Sequence, residues 1–247
     1  MNYITPKSLQ KGDTIGIITP SSPLMPGRLE SGIPYLEHLG FKVKIGNYNS
    51  NSDRFLAGRD EDRAKDIMYF FKDPAVKALI ATGGGYGSQR VLPFLDYDAI
   101  RAHPKILAGF SDTTALQLGL LKKANLVTYT GFTLADADDG QVNSLVEKNL
   151  LSCLMGESYS VTGGSTIHSG VASGPLMGGN LMCLLALMGT PYQPDFNGSI
   201  LLLEDVWDEP YKIDSKMSQL NLAGVFDQVA GVIFGPFVNC IAKHFPE

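Results

Sequence analysis

The sequence predicts an α/β protein with an N-terminal parallel-sheet domain of the Rossmann-like kind and a second α/β or α+β domain. Short apolar runs that end in glycine, serine or proline alternate with longer segments whose apolar residues recur at helical spacing. That alternation is typical of βαβ units. At 247 residues, the chain is long enough for two domains that each bury a core.

In the first half of the chain, five apolar runs have the length and composition of strands. They are TIGIIT at 14–19, KVKI at 42–45, KALIAT at 77–82, KILAGF at 105–110 and LVTYT at 126–130. Residues 60–72 and 113–123 each place apolar side chains on one helical face, so we expect these two helices to cover the sheet.

The composition changes after about residue 155, where glycine, serine and threonine dominate and no helical stripe continues. We therefore predict a linker between an N-terminal domain and a C-terminal domain. The boundaries are 1–155 for the first domain, 156–175 for the linker and 176–247 for the second domain. In the second domain we expect helices at 180–188 and around 214–222, and strands at 199–204 and 231–235.

Composition and charge disfavour several classes of function. The net charge of −5, with both signs mixed along the chain, provides no basic surface for nucleic acid or anionic lipid, so a small-molecule or peptide partner is favoured. No apolar run is long enough for a bilayer or a signal peptide, and a cytoplasmic location is expected. Cys153, Cys183 and Cys240 lie far apart without a CxxC pair, so neither a metal site nor a disulfide framework is predicted.

The glycine-rich stretch from Gly83 to Ser88 has two interpretations. A dinucleotide fingerprint needs GxGxxG, yet Ser88 stands where the third glycine would fall, and GxxxxGK[ST] does not occur. A non-catalytic nucleotide or sugar-phosphate binding module is thus the less favoured alternative. Glycines after a strand also let the backbone direct N–H groups at a developing oxyanion, which is the use expected in a hydrolase.

A second motif, Gly109-Phe110-Ser111-Asp112, falls between a buried strand and a helix. The turn is expected at the carboxyl edge of the parallel sheet, where α/β folds bind ligands. A serine there projects its hydroxyl into the crevice, and the N–H of the next residue faces the same space, as in the nucleophile elbow of hydrolases. The alternative is that Ser111 or Asp112 only caps the helix.

Several separate motifs, in the same order, indicate a family. They run from LQKGDTIGIITPSSP through RFLAGRDEDRAKDI, GGGYGSQRVLPFLDYD, PKILAGFSDTTAL, GPLMGGNLMCLLALMGTPYQPD and ILLLEDVWDEPYKID to GVIFGPFVNC, and so cover essentially the whole chain. The chain resembles the serine LD-carboxypeptidases, whose relatives include the microcin-immunity peptidases. The resemblance implies hydrolysis of the bond between an L-centre and the terminal D-alanine of cytoplasmic muropeptides, in peptidoglycan recycling, by a homodimer without metal or organic cofactor.

The resemblance also implies a Ser-Glu-His triad. It assigns Ser111 as the nucleophile, the backbone N–H groups of Asp112 and Gly85 as the oxyanion hole, and Glu204 as the acidic member. A carboxylate at the end of a hydrophobic strand is poorly placed as a solvated charge and could orient an imidazole. The alternative for Glu204 is that it caps the next segment or pairs with Lys212.

Three aromatic residues are candidates for the lining of the substrate cleft, with ordinary packing as the alternative: Tyr86, Trp207 and Tyr211. One departure from the family lies beside Tyr86. Many members read RGGYG where this chain begins the motif with Gly83, so the contact made by that arginine is in doubt.

The microcin-immunity type, which would cut an acyl-nucleotide linkage, is the alternative substrate class. The motifs RFLAGRDEDR and DEPYKID nevertheless favour the muropeptide enzymes.

The second departure concerns the histidine of the triad, which in the family lies well beyond the GVIFG strand. The chain contains His38, His103, His168 and His244, and we expect each of them to be structural. We therefore expect a chain that ends before the catalytic histidine, with an incomplete second domain that exposes an apolar sheet edge. The alternative is a rearrangement that brings one of these histidines to Ser111.

Overall fold

The computed structural model describes residues 2–137, 142–158 and 160–243, and the chain forms two compact units, Met1–Val161 and Thr162–Glu247. Each unit contains a parallel sheet with helices, which confirms the predicted α/β class. Within the described ranges, no helix is both long enough and apolar enough to cross a membrane.

In the described residues of the first unit there are five strands and five α-helices. The strands are β1 Thr14–Ile18, β2 Lys42–Ile45, β3 Val76–Ala81, β4 Ile106–Gly109 and β5 Tyr129–Thr130. The helices are α1 Arg28–His38, α2 Asp60–Lys72, α3 Tyr97–Ala102, α4 Thr113–Ala124 and α5 Ser144–Met155, with 3-10 helices at Ser88–Phe94 and Leu134–Asp136. The strand order is β2-β1-β3-β4-β5 and every pair is parallel, so all five carboxyl ends meet at one edge.

The central strands are apolar along their length because helices cover the sheet. Every residue of β4 is buried, as are five of the six in β3, which is typical of a parallel sheet covered on both faces. Gly16 in β1 is required by packing, since a Cβ there would lie 2.7 Å from the ring of Phe70 on α2. The two helices predicted at 60–72 and 113–123 are confirmed.

Two features of this unit differ from the sequence prediction. The last strand is shorter than 126–130, because Leu126 instead forms an isolated parallel bridge with Ile4 near the N-terminus. The sequence analysis also did not predict α5, whose Leu150 and Leu154 join the hydrophobic core of the unit. Tertiary packing therefore decides the structure of both segments.

The second unit contains a three-stranded parallel sheet of order β6-β7-β8, formed by β6 Leu176–Asn180, β7 Ile200–Val206 and β8 Gly231–Val238. Its helices are α6 Leu181–Leu185 and α7 Pro210–Leu222. The sequence analysis missed β6 and made α6 too long. The reason is Gly178, where a Cβ would collide with the carbonyl oxygen of Leu202, so this strand uses glycine where an apolar residue would have signalled it.

Strand β8 lies at the edge of the second sheet. Its apolar side chains are exposed, among them Val232, Ile233, Phe234 and Val238. In the described part of the chain, the strand pairs only with β7. An exposed apolar edge of this kind favours association with another polypeptide surface.

Candidate active site

Ser111 lies in the middle of the three-residue connection between the end of β4 at Gly109 and the start of α4 at Thr113. Its φ of 60° is in the left-handed region, which a non-glycine residue rarely adopts. Such conformations concentrate at functional sites because the surrounding structure must hold them. Gly109 belongs to the same turn, since a Cβ there would collide with the side chain of Thr113. The predicted strand, tight turn and helix are confirmed.

Asp112 occupies the N-cap position of α4, yet it does not cap the helix. Its backbone is helical, with φ −54° and ψ −30°, and its side chain accepts no hydrogen bond from the first turn. The carboxylate instead accepts hydrogen bonds from Gly87 and Ser88 of the glycine loop, with N–O distances of 3.2 and 2.8 Å. The helix-capping alternative therefore does not describe the side chain of Asp112.

The glycine loop packs directly on Ser111. A Cβ at Gly84 would lie 2.8 Å from Ser111 Cβ, 3.0 Å from Ser111 Oγ and 3.4 Å from the backbone nitrogen of Asp112. Gly85 follows with a φ of 103°. The structure thus brings the glycine loop, the hydroxyl of Ser111 and the N–H of Asp112 to one place at the carboxyl edge of the sheet.

A third segment, which the sequence analysis did not assign to the site, reaches the same place from β1. Ser22 Oγ accepts a hydrogen bond from the N–H of Tyr86 at 3.0 Å, and the N–H of Ser22 donates to the carbonyl of Gly84 at 3.4 Å. A Cβ on Gly85 would collide with the same hydroxyl. The available signal was the position of the TPSSP motif, directly after a strand that ends at this edge.

An exposed pair of aromatic rings stands beside the glycine loop. Tyr86 and Phe55 have ring centroids 5.6 Å apart with an interplanar angle of 63°, and they are 42% and 55% exposed. Exposed aromatic rings beside a reactive group are suited to bind apolar or ring-shaped parts of a ligand. Phe55 was not predicted, because nothing in the sequence connects it with Tyr86.

A Cβ at Gly83, where many family members have arginine, would not clash with its neighbours. A Cβ there would meet only Ala135 Cβ at 3.7 Å and Leu24 Cδ1 at 3.9 Å, both ordinary contact distances. The guanidinium of Arg28 lies close by, where Nη1 donates to the carbonyl of Ala135 at 3.2 Å. Packing therefore does not require glycine at position 83, in contrast to position 84.

Glu204 lies in β7 of the second unit and is 5% exposed. Its Oε1 is buried and has no hydrogen-bond partner within the described ranges. Burial raises the pKa of the carboxyl, the neighbouring Asp205 raises it further, and a hydrogen bond with Asn180 opposes both effects. The alternative pairing with Lys212 is not observed, since Lys212 Nζ lies 3.7 Å from Asp208 instead.

The adjacent carboxylate, Asp205, contacts both a cation and the Asn180 amide. Lys216 Nζ lies 2.5 Å from Asp205 Oδ2 and also 2.5 Å from Asp208 Oδ2. Asp205 Oδ1 accepts from Asn180 Nδ2 at 3.2 Å. Of the two consecutive buried carboxylates, Asp205 is thus neutralised by a cation, whereas Glu204 Oε1 has no hydrogen-bond partner among the residues that the structure describes.

The two aromatic residues predicted after Glu204 are exposed. Trp207 is 70% exposed and has a φ of 63°, and its N–H donates to the carbonyl of Val238 at 3.0 Å. Tyr211 is exposed in the first turn of α7. Neither ring belongs to the core of its unit, and a role in the substrate cleft stays a prediction for both.

The histidines of the described ranges lie at the surface. His38 ends α1, His103 follows α3, and His168 lies in an irregular segment with Nδ1 3.1 Å from the carbonyl of Ser169. His244 lies outside the described residues. A search of the described residues finds no group of three or more histidine, cysteine, aspartate or glutamate side chains that could hold a metal ion.

Comparison with known families gives two matches along the chain. The LD-carboxypeptidase N-terminal domain matches residues 15–131, and the LD-carboxypeptidase C-terminal domain matches residues 173–247. A protein of Bacillus subtilis named probable murein peptide carboxypeptidase is 37% identical over 246 residues, which cover 98% of this chain and 77% of that protein. The first matched region contains Ser111 and the glycine loop, and the second contains Glu204.

Two solved structures show the same fold. The muramoyltetrapeptide carboxypeptidase from Oxalobacter formigenes has a TM-score of 0.85 at 29% identity, over 93% of this chain and 78% of that chain. The microcin C7 self-immunity protein MccF in complex with aspartyl sulfamoyl adenosine has a TM-score of 0.87 at 28% identity, over 97% of this chain and 82% of that chain. The similarity therefore extends to two proteins whose names indicate different substrates.

Proposed function

Because the chain belongs to the LD-carboxypeptidase family, we propose that it is a serine hydrolase that releases the terminal D-alanine from muropeptide tetrapeptides in peptidoglycan recycling. The observation that carries this proposal is the left-handed conformation of Ser111, with the backbone of Gly84 packed against its side chain. We propose that the protein is a cytoplasmic homodimer and that its ligand is this small peptide. We propose no binding to nucleic acid or to a membrane.

In the proposed mechanism, Ser111 Oγ attacks the carbonyl carbon of the residue whose L-centre precedes D-alanine, and an imidazole accepts the hydroxyl proton. The N–H groups of Asp112 and Gly85 stabilise the oxyanion of the tetrahedral intermediate. The C–N bond then breaks, and the imidazolium gives its proton to the amino group of the leaving D-alanine. A water molecule hydrolyses the acyl-enzyme by the same steps and regenerates Ser111.

Glu204 is proposed to orient that imidazole and to stabilise its cationic form. Its buried Oε1 has no partner in the described part of the chain, so an imidazole N–H would satisfy it. The positive charge of the imidazolium would also favour the ionised carboxylate, against the raised pKa. We assign the base to none of His38, His103 and His168, and we propose that it is the family histidine that the sequence analysis expects beyond the GVIFG strand. Without that histidine, the oxyanion hole and substrate binding alone would support only residual D-alanine release.

The second candidate function is hydrolysis of an acyl-nucleotide conjugate. It is favoured by the similarity to MccF, which was solved in complex with aspartyl sulfamoyl adenosine. Both reactions use a serine nucleophile and an oxyanion hole, and they differ in the group that the cleft must hold. The exposed rings of Tyr86 and Phe55 are compatible with either a sugar or a nucleobase.

The test compares the two substrates on one protein. The chain is incubated with a muropeptide tetrapeptide and, separately, with an aminoacyl sulfamoyl adenosine, and the released D-alanine and amino acid are quantified. We expect D-alanine release that is lost in Ser111→Ala and retained in Ser152→Ala, a control on the exposed end of α5. Cleavage of only the nucleotide conjugate would establish the second candidate. Nucleotide binding that survives Ser111→Ala without any hydrolysis would establish the binding module instead.

A further inference from the structure

We infer that the carboxylate of Asp112 is a positioning residue that fixes the glycine loop against the nucleophile turn. This role is distinct from that of its backbone N–H, and its catalytic consequence rests on the proposed function. Three loops at the carboxyl edge of the first sheet meet at this carboxylate. These loops follow β1, β3 and β4, and Asp112 belongs to the loop after β4.

Three donors from the other two connections reach the two oxygens of Asp112. Oδ2 accepts from the hydroxyl of Ser21 at 2.6 Å and from the N–H of Ser88 at 2.8 Å. Oδ1 accepts from the N–H of Gly87 at 3.2 Å. The hydroxyl of Ser88 also donates to the main-chain carbonyl of Asp112 at 2.5 Å, so the loop is bound to both the side chain and the backbone of this residue.

Burial makes these hydrogen bonds necessary rather than incidental. Asp112 is 2% exposed, and a buried carboxylate without partners is strongly destabilising. An ionised carboxylate only accepts hydrogen bonds, which suits three converging donors. An asparagine of the same shape would turn an N–H₂ group towards at least one of those donors, so the isosteric amide cannot reproduce the arrangement.

The glycine loop is held from its other side by a cation. Arg63, itself buried, donates from Nη1 to the carbonyl of Gly87 at 2.9 Å and also contacts the carbonyl of Pro20. Gly87 is therefore bound through its N–H by Asp112 and through its carbonyl by Arg63. Displacement of Gly87 relative to Ser111 would therefore break hydrogen bonds on both sides of this residue, which lies two positions after Gly85.

The catalytic consequence follows from this geometry. The proposed oxyanion hole takes one N–H from Asp112 and one from Gly85, and these residues are on different connections of the sheet. Preorganised donors contribute only when they stand at hydrogen-bond distance from the developing oxyanion, and a misplacement of about 1 Å can cost 10²-fold in rate. The carboxylate of Asp112 sets the distance between the two proposed donors.

The chain offers a matched control in Asp66 on α2. Asp66 is also 2% exposed, and its carboxylate likewise accepts two backbone N–H groups, those of Asn47 at 2.9 Å and Tyr48 at 2.8 Å. These partners follow β2 and contact neither Ser111 nor the glycine loop. Asp112→Asn and Asp66→Asn thus make the same chemical change in two buried carboxylates, only one of which adjoins the candidate site.

The experiment measures hydrogen exchange of the amides at 84–88, together with kcat and KM for D-alanine release, in the 247-residue chain. In Asp112→Asn we expect exchange at 84–88 to accelerate about 10-fold or more and kcat to fall about 100-fold, with KM changed little. Asp66→Asn should leave both the exchange at 84–88 and kcat close to those of the parent. If Asp112→Asn does not fold, Ser21→Ala removes one donor alone and should lower kcat about 5-fold.

Each result decides a separate claim. Unchanged exchange at 84–88 in Asp112→Asn would overturn the inference whatever the activity. If exchange at 84–88 is faster in Asp112→Asn but its kcat equals that of Asp66→Asn, the contact is only structural. If Asp112→Asn does not fold, an unaltered kcat in Ser21→Ala would lead to the same conclusion. If the parent chain hydrolyses neither substrate, the proposed function fails, whereas the exchange comparison still establishes or refutes the attachment of the loop.

Discussion

Two buried carboxylates, each close to the carboxyl end of a parallel strand, have opposite surroundings. Asp112 in the first unit is surrounded by donors, and its two oxygens accept three hydrogen bonds. Glu204 in the second unit keeps a buried oxygen without a partner in the described part of the chain, and its pKa is raised. A fully satisfied carboxylate fixes structure, whereas an unsatisfied one costs folding free energy and is retained where a function needs it.

The largest expected effect is on the activity that depends on Glu204. In a protein that carries the histidine of the triad, Glu204→Gln removes the charge that would stabilise the imidazolium, so kcat for D-alanine release should fall by about 10³- to 10⁴-fold with little change in KM. Glu209→Gln is the matched control in the same unit, because Glu209 is equally buried but already accepts the N–H of Lys243 at 3.2 Å. Equal kcat values in the two variants would remove Glu204 from the proposed triad.

The next effect concerns the contact between the glycine loop and Ser111. Gly84→Ala places a methyl group 2.8 Å from Ser111 Cβ, so the loop or the serine must shift, and kcat should fall about 100-fold. Gly83→Ala is the control, since its methyl group would meet ordinary contact distances and neither glycine has a positive φ. Steady-state kinetics of the two single variants provide the comparison. A Gly84→Ala enzyme as active as Gly83→Ala would show that the packing of this loop does not matter for turnover.

The sequence analysis identified the turn of Ser111 and the carboxylate of Glu204, but it did not predict the hydrogen-bond partners that surround them. The turn follows from local signals, an apolar strand and a helical stripe, and the convergence of strand ends follows from the parallel sheet. The hydrogen bond between Ser21 and Asp112 joins residues 91 positions apart, and no periodicity in the sequence connects them. The sequence also does not show that Glu204 Oε1 lacks a partner in the described part of the chain, because this depends on Lys216 and Asn180 both binding Asp205 in the folded structure.

The two carboxylates should also differ in the sign of their effect on stability. The pKa of Glu204 is raised above its ordinary value of 4.5, so between that value and the raised pKa the folded chain holds more protons than the unfolded chain. The free energy of unfolding of the chain therefore falls as the pH rises through this window. Glu204→Gln removes that cost and should raise the Tm at pH 7 by a few degrees, on the order of 2–4 °C, while Asp112→Asn lowers it. Thermal unfolding at pH 4 and pH 7 tests this, and a gain that does not shrink towards pH 4 would contradict the ionisation argument.

The smallest expected effect concerns substrate recognition beside the satisfied carboxylate. Phe55 and Tyr86 form an exposed edge-to-face pair, and the N–H of Tyr86 is fixed by Ser22 Oγ, so the rings adjoin the loop that Asp112 holds in place. Phe55→Ala should raise KM about 3- to 10-fold, which corresponds to the loss of one aromatic contact, and leave kcat nearly unchanged. Phe94→Ala, which removes another half-exposed ring of this unit, is the control. The effect should be larger on a disaccharide-bearing tetrapeptide than on the free tetrapeptide if the rings bind the sugar. If Phe55→Ala and Phe94→Ala have the same KM on both substrates, the aromatic pair lies outside the substrate cleft. The glycine loop would then contact only the reacting carbonyl of the substrate.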